Sequence, residues 1–544
     1  MKIAISQIDP RVGDVAWNLR LILEQIDRSK SSRCDLVVFP ELAVVGYPPR
    51  DLLDFSHIID ENLEAIETIR EASQGISVVV GYVERNSSKV GKPYYNSAAV
   101  LQNGKRVANY RKWLLPYYNI FEEERYFESG SEVGHFQLKN RNIGITICED
   151  LWNEPGFLER LYEKNPTDAL SKHKLDFVLN LSASPFELGK NKIREKLFNQ
   201  VSKKLKAPII YCNQVGANDE LIFDGCSFVV SEKGKMAQSK AFEPELLVWD
   251  SDIISTTATE GEWTESQWLL EALTLGVRDY LDKTPAKTVV LGLSGGIDSS
   301  VVAAIAVKAL GPSRVFGFAL PSKFNASQSL EDAQKLAQNL GISFRSFPIE
   351  RIYEVLKVEL GQGLGHLPKP LTLENIQPRI RMTLLMAIAN EEGHLVLNTS
   401  NKSEIFAGYA TLYGDTAGAL AVLGDLTKQQ VYELAKTLNI QKEVIPRRVI
   451  TRAPSAELRE NQTDQDTLPP YDILDGLVTG HVNRTKSLST ADFPGVTKEN
   501  LEKVSRLNSS SEYKRRQLPP ALRVTSRAYG MGRRIPVVGR KPSE

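Results

Sequence analysis

Two sets of residues have the types and spacing to do chemistry: Glu41, Lys112 and Cys148 in the first half of the chain, and the run Leu293-Ser294-Gly295-Gly296-Ile297-Asp298-Ser299-Ser300 in the second. In the run, an apolar segment over 288–293 stops at a Gly-Gly turn, and a helical pattern apolar at Val301, Val302, Ile305 and Leu310 begins at once. Such a turn lets backbone N–H groups close on an anion, and the following helix aims its positive end at the same point. Ser294, Ser299 and Ser300 add hydroxyl donors. The spacing therefore predicts a phosphate cradle over 292–300, from Gly292 to Ser300. A Walker loop would read G-x-x-x-x-G-K-[ST], and no Gly-Lys pair here, such as Gly91-Lys92 or Gly189-Lys190, is followed by Ser or Thr. Kinase-like and GTPase-like loops are thereby disfavoured.

Cys148 directly follows the apolar run 143–147 and precedes Glu149-Asp150-Leu151-Trp152, a position that holds a side chain up at a strand end. A thiol there attacks a carbonyl only if one group takes its proton and another steadies the oxyanion that forms. Alone, such a cysteine is more often a small core residue. Phe39-Pro40-Glu41-Leu42 supplies a carboxylate past another strand, and Tyr110-Arg111-Lys112-Trp113-Leu114-Leu115-Pro116 supplies a lysine before an apolar turn.

These side chains need strands to carry them. Short apolar runs predict strands near 3–5, 36–39, 78–83, 98–101, 143–147, 177–181, 209–212 and 228–230. Helical patterns intervene near 17–29, 57–71, 154–163 and 193–204, giving an α/β or α+β domain over 1–250. The polar stretch 251–262 reads as a linker. The remainder, 263–544, alternates strand 288–293, helix 299–310, strand 314–320, helix 327–340, strand 342–349, a long helix near 373–392 and strand 394–399. That order predicts a doubly wound parallel sheet with ligands at the carboxyl ends of its strands. Beyond residue 450 periodicity fades into Pro-rich and polar sequence, read as loops folded over a site or as a mobile tail.

At 544 residues the chain exceeds what one core usually holds. Lys plus Arg equals Asp plus Glu at 67 each, which argues against a nucleic-acid partner and leaves anion binding to local charge. One local excess lies over 511–544, with nine Lys or Arg against two Glu. Four scattered cysteines and six histidines suggest neither a zinc site nor a disulfide framework. With no signal-peptide pattern and no apolar run long enough for a membrane span, a soluble protein in a reducing cytoplasm is expected.

Family resemblances sharpen these readings. Leu293 to Ser300 resembles the pyrophosphate loop of the ATP pyrophosphatases, which split ATP between its α- and β-phosphates and adenylate a substrate. Glu41, Lys112 and Cys148 resemble, in order and spacing, the Glu-Lys-Cys triad of the nitrilase superfamily, and this likeness covers roughly residues 1–250. It implies an αββα sandwich with Glu41 as general base, Lys112 steadying the oxyanion, Cys148 forming a thioester and Glu123 as supporting glutamate. In the glutaminase branch Tyr118, Ser184 and Lys190 would contact glutamine. One departure stands out, because Pro116-Tyr117-Tyr118-Asn119 occupies the place where Pro-Asn-Tyr-Gly is expected.

Downstream, Glu374-Asn375-Ile376-Gln377-Pro378-Arg379-Ile380-Arg381, Asn398-Thr399-Ser400-Asn401-Lys402-Ser403-Glu404 and Gly408-Tyr409-Ala410-Thr411-Leu412-Tyr413-Gly414-Asp415 resemble the NAD synthetases. With both halves considered, nearly the whole chain resembles the bacterial glutamine-dependent members of that family. The resemblance implies that Thr399 and the loop contact ATP as co-substrate, and that Asn375, Glu404 and Lys514 contact deamido-NAD. It implies Asp298 and Glu404 as Mg2+ carboxylates, an internal ammonia tunnel and a homo-oligomer, with no nucleic-acid or membrane partner. The rivals are another glutamine-fed adenylating ligase and a binding protein built on a dead nitrilase fold; the intact triad and loop speak against the second.

Overall fold

The computed structural model describes residues 1–158, 161–252, 263–484 and 486–539. The chain divides into two compact units, Met1–Glu262 and Trp263–Glu544. Most of the expected linker, from 253 to 262, lies outside the described residues.

The first unit is built on β1 (Lys2–Gln7), β2 (Leu36–Val38), β3 (Ser77–Arg85), β4 (Tyr94–Gln102), β5 (Lys105–Arg111), β6 (Gly134–Leu138), β7 (Arg141–Ile147), β8 (Phe177–Ser182), β9 (Ile209–Asn213), β10 (Val215–Asn218), β11 (Leu221–Asp224), β12 (Phe228–Ser231), β13 (Gly234–Gln238) and β14 (Glu245–Asp250). They form two six-stranded sheets, ordered β14-β1-β2-β3-β4-β5 and β13-β12-β9-β8-β7-β6, with β10 and β11 as a separate hairpin. Alternation along the strands explains the layers. Ile3, Ile5 and Val79 pack with Ile145, Leu179 and Ile210 into one core, whereas Ala4, Val78 and Val80 join Ile22, Ile26 and Ile66 in another. The helices Val15–Ser31 and Ser56–Ala72 supply that second core, and Lys190–Leu205 packs Leu197, Phe198 and Val201 on Val178 and Ile209. The result is the expected αββα sandwich, whose strands buried on both faces read as continuous apolar runs.

Two differences from the sequence reading have local causes. The expected helix near 154–163 does not form among the described residues; Gly156 sits at φ +90° in a turn, and the helix comes later, Pro166–Leu170, capped by Asn165. Strands β5 and β6 escaped detection because exposed polar residues interrupt their apolar pattern, and β10, β11, β13 and β14 also went undetected.

The second unit carries β15 (Thr288–Gly292), β16 (Val315–Ala319), β17 (Ser343–Ser346), β18 (His394–Asn398) and β19 (Leu420–Ala421) in the order β17-β16-β15-β18-β19. Every neighbouring pair is parallel. The order reverses direction between β15 and β18, the point where a doubly wound sheet opens a crevice beyond its strand ends. Beyond residue 450 the expected loops give way to helices Tyr471–Val478 and Lys498–Ser509, which join Ile405 and Phe406 in a core through Leu474, Leu477, Leu501 and Val504. Their three-residue apolar spacing is short enough to be lost among prolines and serines. A helix at Glu350–Leu364 was likewise not anticipated. Among the described residues, no helix is long and apolar enough to cross a membrane.

Candidate active sites

In the first unit three strand ends converge. Glu41 follows β2, Lys112 follows β5 and Cys148 follows β7. The Glu41 turn packs so closely on β3 that a Cβ on Gly81 would lie 2.4 Å from the Leu42 nitrogen, so only glycine fits beneath it. Cys148 itself sits at φ +41°, in the left-handed region that side chains avoid, an arrangement that recurs at functional turns.

The Lys112 ammonium is 2.6 Å from Glu41 Oε1 and 2.9 Å from both carboxylate oxygens of Glu123. Asn96 Nδ2 donates to Glu41 at 2.7 Å and to Glu123 at 3.3 Å, Tyr47 donates to Glu123 at 2.9 Å, and the Ala183 N–H donates to Glu41 Oε2 at 3.1 Å. Lys112 and Glu41 are each 1% exposed. Burial works against the ammonium, but Glu123 and Glu41 outweigh it and hold its pKa well above the ordinary value. Burial pushes Glu123 up to about 7, with Lys112 opposing and Glu41 adding to the rise. Burial and the charge of Glu41 raise the Cys148 thiol, with Lys112 opposing. These surroundings favour the thiol over the thiolate, so attack by the sulfur calls for a base.

The residues expected around glutamine fall near this cluster to different degrees. Tyr118 donates to Glu149 Oε1 at 2.9 Å, and Tyr162 donates to the same oxygen at 3.1 Å. Lys190 donates to the Pro185 carbonyl at 3.2 Å and lies over the Trp152 ring. Ser184 is tied through its N–H to Asn213 Oδ1 at 2.9 Å, one residue past Ala183. At the departure noted in the sequence, Asn119 adopts φ +58°, a conformation asparagine tolerates better than most side chains. Glu149 was missed by sequence reasoning. It is buried, its pKa is raised by that burial while Lys112 and the two tyrosine hydroxyls oppose the rise, and its only signal was adjacency to Cys148.

In the second unit the glycine run follows β15 and opens the helix Ile297–Leu310. Gly295 takes φ +76°, and a Cβ there would meet the Ser329 carbonyl at 2.2 Å. Ser299 and Ser300 donate to the Gly296 carbonyl at 3.2 and 2.7 Å, which fixes the turn. A cavity of about 370 Å³ opens at the strand ends, lined by every residue from Gly292 to Ser299 except Gly295, together with Thr399 and Glu404. Ser300 faces the turn instead. Asn375 and Lys514 stand outside the lining and meet at one segment: Asn375 accepts from the Thr411 hydroxyl at 2.7 Å, and Lys514 donates to Gly408 and Ala410 carbonyls at 2.8 and 2.7 Å.

Lys428, another residue sequence reasoning missed, bridges Asp298 Oδ2 at 2.6 Å and Glu404 Oε1 at 3.2 Å. It opens the helix Lys428–Leu438, where a cation opposes the helix dipole, and that misfit was the available signal. Burial pushes Glu404 up to about 8, opposed by Lys428 and reinforced by Asp298. Asn401 Nδ2 holds Asp298 Oδ1 at 2.8 Å. The two carboxylates converge on the Lys428 ammonium, and both line the cavity beside the phosphate cradle; they are of the type a hard ion such as Mg2+ takes one or two at a time, completing its shell with phosphates and water.

Fold and sites together define a two-part ligase, a carbon–nitrogen hydrolase unit followed by a nucleotide-binding parallel sheet. The chain matches the carbon-nitrogen hydrolase family over residues 2–260 and the NAD synthase family over 269–519. It is 42% identical to the glutamine-dependent NAD(+) synthetase of Synechocystis over 98% of both chains, and 39% identical to that of Acinetobacter baylyi over 100% of this chain and 99% of the relative. The solved structure of the Acinetobacter baumannii glutamine-dependent NAD+ synthetase in complex with ADP superposes with a TM-score of 0.78 at 37% identity, covering 98% of each chain. The chain belongs to the family of glutamine-dependent NAD(+) synthetases.

Proposed function

We propose that the first unit releases ammonia from glutamine at Cys148 and that the second spends ATP to condense this ammonia with deamido-NAD, giving NAD, AMP and pyrophosphate. The observation that carries the reading is the Lys112 ammonium clamped between Glu41 and Glu123 and near enough for its charge to act on the Cys148 thiol. A buried cation with two anions costs stability and is kept for chemistry.

Glu41 takes the thiol proton and the sulfur bonds the amide carbon. Lys112 steadies the oxyanion, and the C–N bond breaks as Glu41 returns the proton to the leaving ammonia. Water then cleaves the thioester to glutamate. Glu123 holds Lys112 in place, while Glu149, with Tyr118, offers a negative wall to the amino acid's ammonium and Lys190 a positive one to its carboxylate; Ser184 completes the pocket. In the second unit the amides of 292–300, with Thr399, cradle the phosphates while the dinucleotide carboxylate attacks the α-phosphorus and pyrophosphate leaves. Asp298 and Glu404 would hold Mg2+, which when bound would supply charge neutralisation to the pyrophosphate. Ammonia then displaces AMP. Asn375, Glu404 and Lys514 are assigned to deamido-NAD.

Ammonia must stay unprotonated, which favours passage inside the protein over release to solvent. A reducing cytoplasm suits the free thiol. We assign a homo-oligomeric state on the second unit's apolar surface, where Val355, Leu364, Leu367 and Leu371 are each at least 51% exposed. An assay with ATP, Mg2+, deamido-NAD and either glutamine or ammonium tests the reading. AMP and pyrophosphate are expected from both nitrogen donors, and ADP as product would overturn the bond cleavage.

A further inference from the structure

Asp150 is fully buried two residues past Cys148, in the turn Cys148–Leu151. Oδ1 accepts the N–H groups of Trp113 and Leu114 at 3.1 and 3.0 Å, the two residues after Lys112. Oδ2 accepts the N–H of Ile147 at 2.9 Å, the residue before Cys148, and the hydroxyl of Tyr110 at 2.7 Å, two residues before Lys112. One side chain thus ties the segment carrying the lysine to the segment carrying the nucleophile.

We propose that Asp150 is the positioning residue that sets the distance and angle between the Cys148 sulfur and the Lys112 ammonium. None of its four hydrogen-bond partners is a cation, so ion pairing does not explain a carboxylate at this depth. Acceptor capacity on both oxygens does. An amide would turn an NH2 toward one pair of donors, and the backbone N–H left facing it would be unpaired. The Cys148 backbone at φ +41° needs such support, since a left-handed non-glycine residue persists only where its surroundings over-determine it. A displaced nucleophile loses rate steeply, because reacting groups depend on alignment to a fraction of an ångström.

This inference rests on reading Cys148 as the nucleophile, so Cys148→Ala is assayed alongside Asp150→Asn and Tyr110→Phe with glutamine and with ammonium. Synthesis from ammonium uses none of these residues and serves as the check on folding. Asp150→Asn is expected to lower kcat with glutamine by about 30-fold or more while KM for glutamine stays within about threefold. Tyr110→Phe, which removes one of the four bonds, is expected to lower it by roughly 3- to 10-fold. An Asp150→Asn enzyme with near-normal glutamine kcat, or one whose loss appears in KM, would overturn the positioning role. If that variant loses ammonium-driven synthesis as well, Tyr110→Phe decides, and an unchanged kcat there overturns the proposal. Glutamine use surviving in Cys148→Ala would instead remove the nucleophile assignment itself.

Discussion

Each unit buries a lysine between two carboxylates, yet the two clusters are built to opposite ends. Around Lys112 everything is closed: Glu41 is 1% and Glu123 5% exposed, and Asn96, Tyr47 and the Ala183 N–H fix the carboxylates from other sides. Around Lys428 the lysine is buried, but Asp298 and Glu404 are 17% and 18% exposed and line a cavity. A closed cluster holds a fixed charge against one reacting atom. An open one presents carboxylates that can exchange a partner when a charged ligand arrives. On the function proposed above, a lysine between two carboxylates serves covalent chemistry in one unit and phosphate handling in the other, and the two clusters differ in solvent access.

The largest expected effect breaks the two regions apart. Cys148→Ala should abolish glutamine-driven synthesis, a loss of about a thousandfold or more, while ammonium still supports turnover. Loss of both activities would contradict the division of labour. Asp298→Ala should lower synthesis from either nitrogen donor by about a hundredfold, measured as AMP formation; a normal rate would discard its place at the phosphates.

Lys112→Met and Lys428→Met sharpen the contrast through stability. Removing Lys112 strands two buried carboxylates and should cost about 3–5 kcal/mol in the first unit's unfolding transition. Removing Lys428 should cost less, because Asp298 and Glu404 can recruit water from the cavity. Equal losses would show that the two clusters do not differ in access.

The smallest effect concerns pH. Burial pushes the Asp150 carboxyl up to about 6 from an ordinary 3.8. A carboxyl raised in the folded state binds more protons there than in the unfolded chain between those values, so its contribution is full below about 4 and is lost as pH rises through 6. The stability gap between the wild type and Asp150→Asn should therefore narrow by about 2 kcal/mol from pH 4 to 6, read by denaturation at each pH. A constant gap would contradict the shift.

Much of this was legible in the sequence, for identifiable reasons. The runs that became β1, β7, β8, β15 and β18 are buried on both faces, so hydrophobicity alone marked them, and the residues after their ends stood out as candidates. Strands β5 and β6 carry exposed polar residues at alternate positions and did not. Within the sites, Glu41, Lys112 and Cys148 lie on motifs, whereas Glu149, Asp150 and Lys428 each depend on a contact made across 31, 36 or 130 residues of separation. No local pattern encodes such a contact. Asn375 and Lys514, legible by resemblance, proved to face a shared turn beside the cavity, a placement that only the fold supplies.

The central claim is that nitrogen freed at Cys148 is consumed at the pyrophosphate loop. Supplying amide-15N glutamine together with excess unlabelled ammonium, and reading the isotope in the product by mass spectrometry, tests it most directly. The account predicts NAD enriched in 15N well beyond the ratio of the two pools, and unlabelled NAD from Cys148→Ala. Label diluted to the bulk ratio in the wild-type product would contradict it.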